Sequence, residues 1–247
     1  DGMKMDDIQT GHHTLNLLLP IQLIERIEII KGPASRIFGQ NAFNGAINIV
    51  TKSLPKLDKK QFEMLVSNPT FGSFKQFGFL INSRLSLKEK FNAQLTFSRS
   101  KSDGYRYNTD YSNDFFFFKS EIKTQKNSII ITSGFTEKKF GANGFYASPS
   151  ATDQYEETQA SFLGISTLLG SEKFLVRPKL YWRRGQDEYI YIRNNPSVYR
   201  NLHKTNKIYL DFSFSKLFES SRLNFGIDLS NSSISSNNLG DHNRFTT

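Results

Sequence analysis

Residues 24–52 read IERIEIIKGPASRIFGQNAFNGAINIVTK. Two short apolar runs, Ile27–Ile30 and Ala46–Thr51, frame a Gly-Pro pair, a few helix-compatible residues and further glycines. The first run predicts a short strand. Gly32-Pro33 predicts a tight turn with Pro33 at the first position of a helix, where its missing N–H is no loss. Ala34–Phe38 then offers about one helical turn, and Gly39 suits a left-handed stop. Ala46–Thr51 predicts a returning strand, and Gly45 permits a backbone approach that a side chain would block. The unit is small and α+β, and it contains no catalytic logic of its own.

Outward from this unit the text changes at Ser53–Lys60, a polar stretch reading SLPKLDKK. Beyond it, apolar residues recur at every second position. Phe91, Ala93, Leu95 and Phe97 interleave with Asn92, Gln94, Thr96 and Ser98. The same holds for Ile208, Leu210, Phe212 and Phe214, for Leu223, Phe225, Ile227 and Leu229, and for Phe174, Val176, Leu180 and Trp182. Only Tyr209 blurs the alternation. Period 2 predicts half-apolar strands, here near 60–68, 73–85, 91–101, 114–124, 128–139, 157–168, 173–187, 204–217 and 221–233. Many run about 11 to 14 residues, against a globular norm of about 5–6. At ~3.3 Å per residue and a tilt of ~40°, 11 residues span about 28 Å, close to the ~30 Å of a hydrocarbon core.

The connectors alternate too. Ser86–Lys90, Gln125–Asn127, Leu169–Glu172 and Phe218–Ser220 are short, whereas Ser102–Asn113, Phe140–Glu156 and Glu188–His203 are long, and Asn231–Thr247 is expected to begin another long loop. Short turns on one side and long loops on the other is the arrangement of an outer-membrane barrel, long side outward. Nine strands cannot close, because an open edge in lipid leaves backbone groups unpaired. More strands are therefore expected after Thr247, and the opening Asp1-Gly2-Met3 lacks a signal-peptide pattern, so both ends read as cut.

Composition is consistent with this reading. The chain of 247 residues has 23 Phe and 10 Tyr, no cysteine and a formal charge of +9 with pI ≈ 9.6. Without cysteine there is no disulfide framework and no thiolate chemistry. Lys and Arg are spread along the strands rather than clustered, and no helix-turn-helix, zinc module or aromatic–basic platform is present, which argues against nucleic-acid binding. Mean hydropathy is −0.47, a value that does not argue against a barrel, whose strands are apolar on one face only.

Glu25-Arg26-Ile27-Glu28, Gly32-Pro33, Gly39, Asn41-Ala42, Gly45 and Ile47-Asn48-Ile49 together resemble the end of the plug domain of TonB-dependent outer-membrane receptors. Asp1-Gly2-Met3 and Gln9-Thr10-Gly11-His12-His13 resemble plug sequence of such receptors from Bacteroidetes-type bacteria, as do Phe140–Tyr146 and Asn238–His242 in the barrel. Two departures stand out: Lys31 where the family usually has Arg, and Asn44 in place of the first Gly of a common pair. The resemblance implies the C-terminal part of an α+β plug domain (residues 1–56) followed by the N-terminal part of an all-β membrane barrel (residues 57–247), about nine of roughly 22 antiparallel strands. It implies a location in the bacterial outer membrane and a monomeric barrel in contact with its lipid. It further implies import of a scarce, bulky small-molecule nutrient, such as an iron–siderophore or cobalamin. TonB, as partner, would act through a segment upstream of Asp1. No cofactor, resident metal or nucleic-acid partner is implied. A passive porin would explain the strands but not residues 24–52. A secreted all-β glycan-binding module would explain the aromatics but neither the plug text nor the strand length.

Candidate sites follow from both readings. By the resemblance, Arg26, Glu28, Lys31, Gly32, Pro33, Gly39, Asn41 and Gly45 form plug–barrel contacts, with Lys31 offering a point charge where Arg offers a fork. The alternative is that the three charged residues face solvent within the barrel. Tyr105, Tyr107, Asn143, Phe145 and Tyr146 sit in long loops and combine aromatic surface with an amide, the chemistry for a large amphipathic ligand; the loops folding on their own aromatics is the alternative. Arg177, Lys179 and Arg183 lie on the polar side of one strand, suited to plug carboxylates, water or an anionic ligand, with Arg184 just beyond the alternation. His12 and His13 point to opposite sides of an extended chain and suit no shared metal; His203 and His242 lack a second ligand at the right spacing. No nucleophile–base set, carboxylate pair or phosphate loop emerges, so no enzyme is expected.

Overall fold

The computed structural model describes residues 1–9, 17–35, 42–54, 60–71, 74–87, 90–124, 127–146, 148–171 and 173–247. Near the N-terminus, the 3-10 turn Ile21–Leu23 leads into β1 (Ile24–Lys31), which pairs antiparallel with β2 (Gly45–Thr51). The register sets Ile27 opposite Ile49 and Lys31 opposite Gly45. Gly45 has φ +154°, and a Cβ there would lie 2.5 Å from the Ile30 carbonyl oxygen. The hairpin can close at that point only with glycine. Both expected strands of this unit are present; the helical turn expected at Ala34–Phe38 falls largely on 36–41, outside the described residues, as does Gly39.

Ten further strands form one antiparallel sheet in strict sequence order: β3 (Lys60–Ser67), β5 (Phe74–Leu87), β6 (Phe91–Ser102), β7 (Tyr111–Lys123), β8 (Ser128–Gly141), β9 (Tyr155–Ser171), β10 (Phe174–Ile190), β11 (Arg200–Leu217), β12 (Arg222–Ser236) and β13 (Gly240–Thr246). The two-residue β4 (Thr70–Phe71) folds back on the start of β5. All nine expected barrel strands occur within a few residues of their expected positions. Two expectations need correction. The loop expected from Asn231 is instead the end of β12, the turn 237–239 and a tenth strand, β13. The strands β9–β12 also exceed the expected length, at 15 to 18 residues. At the end of β12 the outward residues are polar (Asn231, Ser233, Ser235), so no apolar alternation marks a strand that backbone pairing alone continues.

The two faces of the sheet are unlike. On β11, buried His203, Thr205, Lys207 and Tyr209 alternate with exposed Lys204, Asn206 and Ile208. The buried set faces the N-terminal segment. The exposed set faces away, where apolar side chains run across strands in rows: Phe97–Phe116–Phe135 and Ile131–Ile165–Leu180–Leu210–Leu229. A continuous apolar outer surface is what lipid covers. No helix of the described residues is long and apolar enough to cross a membrane; strands do the crossing. The apolar core proper is inside: Leu18, Ala160, Phe162, Tyr181 and Tyr209, with Met3 and Met5 against them. Core thus forms between the N-terminal segment and the wall, each large side chain buried there contributing about 1.5–3 kcal/mol.

Connections on one side are 88–90, 124–127, 172–173 and 218–221; on the other, 103–110, 142–154 and 191–199 are longer, while 237–239 is short. The long side is the outer side.

Candidate functional site

Residues 1–9 run as an extended segment inside the curved sheet, and β10–β12 grip it. Lys179 Nζ donates to the Gly2 carbonyl at 3.0 Å. One Arg183 nitrogen donates to the Met5 and Asp6 carbonyls, each at 2.7 Å. Lys207 pairs with Asp6 at 2.6 Å, and Lys4 with Asp228 at 2.8 Å. Tyr181, 2% exposed, accepts the Lys4 backbone N–H at 3.0 Å and stacks on Tyr209, ring centroids 4.8 Å apart. The Tyr209 hydroxyl in turn donates to Asp228. On β7, Lys119 binds Asp1 and the Thr51 hydroxyl, joining the segment to the end of β2. These contacts satisfy backbone groups of a segment that has no secondary structure to satisfy them.

Two lumen-facing glycines make room. A Cβ on Gly134 would sit 2.9 Å from the Leu18 carbonyl oxygen, and one on Gly164 would sit 2.7 Å from the Met3 sulfur. Tyr209, which blurred the alternation in the sequence, is part of this grip.

Sequence reasoning placed Lys179 and Arg183 on the polar face of their strand, and both meet this segment, chiefly through its carbonyls. Among the described residues no hydrogen bond or ion pair joins Arg177 to it, and Arg184 faces outward. Lys4, Asp6, Lys119, Lys207 and Asp228 were not singled out; the signal of Lys119, Lys207 and Asp228 is strand parity, visible only once the registers are known, and Lys4 and Asp6, on a segment without a strand, carry none.

Arg26 pairs with Glu28 at 2.7 Å and Glu25 at 3.4 Å, and Asn48 donates to Glu28 at 2.7 Å. These contacts lie within the β1–β2 hairpin. The Asn48 and Arg26 hydrogen bonds hold the Glu28 carboxyl below its usual pKa. Lys31 is exposed at the end of β1, beside Gly32 and Pro33. Asn41, like Gly39, His12 and His13, lies outside the described residues.

On the outer side, the three longer loops bond to one another. Asn143 donates to the Tyr107 carbonyl at 2.6 Å while Arg106 donates to the Asn143 carbonyl at 3.1 Å. Tyr107 donates to Asp153 at 2.6 Å, a bond that raises its pKa. Asn108, at φ +51°, donates to the Thr152 and Gln154 carbonyls. Arg193, from the third loop, grips Asp110 with two nitrogens at 2.6 and 2.9 Å, donates to Asn108 at 3.0 Å, and stacks 4.3 Å over the Tyr155 ring. That fork holds the Asp110 carboxyl below its usual range. Gln154, fully buried, donates to the Tyr189 hydroxyl, and Tyr146 packs edge-on against Tyr189. Burial, then a bond to Glu156, pushes the Tyr146 hydroxyl up. Of the five loop residues singled out, Asn143 and Tyr146 are built into this platform, Tyr107 is tied to it by its hydroxyl, and Tyr105 and Phe145 stand 70% and 72% exposed on it. Arg193, Asp110, Asn108 and Gln154 were missed; nothing in a single sequence pairs residues of three separate loops.

Residues 1–46 match the family model described as TonB-dependent Receptor Plug Domain. Over 108 residues, 44% of the chain, it is 32% identical to the vitamin B12 transporter BtuB of Vibrio vulnificus, of which this covers 17%. Over 35 residues, 14% of the chain, it is 54% identical to the iron-regulated outer membrane virulence protein of Vibrio cholerae, covering 5% of that protein. Among solved structures, the siderophore receptor PirA of Pseudomonas aeruginosa superposes with TM-score 0.72 at 15% identity, over 92% of this chain and 39% of that one. The unliganded ferric citrate transporter FecA gives 0.73 at 11% identity, over 93% and 36%.

The chain carries the plug domain of a TonB-dependent receptor. It spans 17% and 5% of these two curated relatives and under two-fifths of these solved receptors. The gripped N-terminal segment is then plug, the gripping sheet is barrel wall, and the receptor's place is the bacterial outer membrane. No group of three or more His, Cys, Asp or Glu suited to hold a metal occurs among the described residues.

Proposed function

We propose that the receptor captures a scarce, bulky nutrient of the iron–siderophore or cobalamin kind at its outer loops and imports it when TonB pulls on the plug, with 1–56 as plug and 57–247 as the first part of the wall. What carries the proposal is the gripped segment itself. Met3, Met5 and Leu18 are sealed against Phe162, Tyr181 and Tyr209, so solute passes this wall only if plug contacts are released. A passive porin has no use for such a seal, and a secreted glycan-binding module has no use for an outer apolar belt. The names of the relatives, a vitamin B12 transporter among them, favour the same ligand class. Tyr105, Tyr107 and Phe145 on the platform are the proposed ligand-facing residues. Arg26, Glu28, Lys31, Gly32, Pro33, Gly39, Asn41 and Gly45 are proposed to meet the plug's barrel surroundings.

The test is uptake of labelled cobalamin and a panel of ferric siderophores by cells whose only such receptor is the full-length protein, with and without TonB. Import of one compound, lost without TonB, is expected. TonB-independent import would make the protein a passive channel.

A further inference from the structure

The chain as a whole carries +9, but its outer mouth does not share that sign. The long loops 103–110, 142–154 and 191–199 hold Asp103, Asp110 and Asp153 against Arg106 and Arg193, and the turn 237–239 is uncharged. The inner face of the wall repeats the balance. Lys138, Thr158, Asp187 and His203 stand in one row across β8–β11. From that row outward, the inner face of the described strands adds Lys138 against Asp187 and Glu156. Five carboxylates thus oppose three cations around the mouth, a net of −2.

The two loop arginines are also committed. Arg193 grips Asp110 with both terminal nitrogens and stacks over the Tyr155 ring. Arg106 donates to the Asn143 carbonyl at 3.1 Å and lies 5.4 Å over the Tyr105 ring. What the loops offer instead is aromatic area. Tyr105, Tyr107 and Phe145 are largely exposed, and the Tyr107 hydroxyl is already given to Asp153. Behind Phe145 the rings Tyr146, Tyr189 and Tyr199 follow in edge-on contacts, with centroids 4.7, 5.6 and 6.4 Å apart. The run crosses from the second long loop to the end of the third.

We propose that the ligand of this mouth carries no net negative charge and is held by a broad apolar face laid on these rings. An anion here meets a surface of its own sign and finds no uncommitted fork to receive it, so it is repelled and left unpaired. An uncharged complex loses nothing to that field and gains the ring contacts. Polyanionic iron chelates of the tris-catecholate and citrate kinds are thereby rejected. The proposal rests on the import reading above and narrows it to neutral and cationic complexes.

The test measures binding by calorimetry on the full-length receptor in mild detergent. The probes are cyanocobalamin, a ferric trihydroxamate bearing a free amine, its neutral N-acetylated form, ferric tris-catecholate and ferric citrate. One of the first three is expected to bind. A neutral probe should do so with a Kd that shifts less than about 2-fold on a tenfold rise in salt, since it has no net charge to screen. Tyr105→Ala with Phe145→Ala weakens that binding about 10- to 100-fold. Asp103→Asn with Asp153→Asn raises the affinity for ferric tris-catecholate about 5- to 10-fold relative to the bound probe. Salt-sensitive binding of the tris-catecholate or citrate complex in preference to the first three overturns the proposal and leaves the import reading standing. So does binding that survives loss of both rings, or a carboxylate variant that gains no affinity for the anion. Binding of none of the five removes the import reading, and this narrowing with it.

Discussion

Gly45 and Tyr181 show what a single position contributes to holding the plug. At Gly45 an added methyl meets the Ile30 carbonyl oxygen at 2.5 Å, and φ is +154°. Gly45→Ala therefore strains the β1–β2 closure, costing about 1–3 kcal/mol. The expected sign is protease cleavage within 24–51 under conditions where wild type resists; equal resistance would mean the hairpin closes elsewhere. Tyr181→Phe keeps the ring stack but removes the acceptor of the Lys4 N–H. An unsatisfied donor there costs about 1–2 kcal/mol, so amide exchange at Lys4 should quicken about 5- to 30-fold. Unchanged exchange at Lys4 would show that the hydroxyl does not hold the segment.

At the scale of elements, the outer loops behave as one unit because Arg193 and Asn108 bind across them. The Arg193–Asp110 pair is about one-third exposed on each side, so its bidentate geometry is worth about 1 kcal/mol after screening. Asp110→Asn should raise hydrogen exchange in 103–110, 142–154 and 191–199 together while β5–β8 stay protected. A change confined to 103–110 would deny the coupling. The pH response follows in sign. The folded Asp110 carboxyl titrates below its ordinary value, so its stabilisation is complete above an unfolded pKa of ~3.9 and is lost as pH falls through the lower folded one. The carboxyl carbon shift of Asp110 should therefore titrate below that of an exposed aspartate, and loop order should not vary between about pH 5 and 8.

Strand positions were readable because lipid on one side and lumen on the other force period 2 onto residues such as Phe91–Ser98. β13 was not, because beyond the membrane neither face is apolar and Ser232–Ser236 carries no alternation. The grip on the plug was half readable: Arg183 stands out as a charge on a strand, but its targets are backbone carbonyls of Met5 and Asp6, which no side-chain pattern announces.

For the whole molecule, the net charge of +9 resolves into separate uses. Lumen cations hold the plug, and Arg99, Lys139 and Arg200 at the rim are paired with carboxylates. The central claim is that the plug lies sealed against the wall and must leave it for import. Leu18 and Gly134 test it most directly, because a Cβ on Gly134 would lie 3.1 Å from that of Leu18, a few tenths of an ångström short of the ~3.5–4.5 Å disulfide range. The chain has no cysteine to compete. In the full-length receptor, Leu18→Cys with Gly134→Cys should form a disulfide that leaves ligand binding at the cell surface intact, stops import, and restores it on reduction. Import at the wild-type rate through the oxidised, cross-linked receptor would contradict the account.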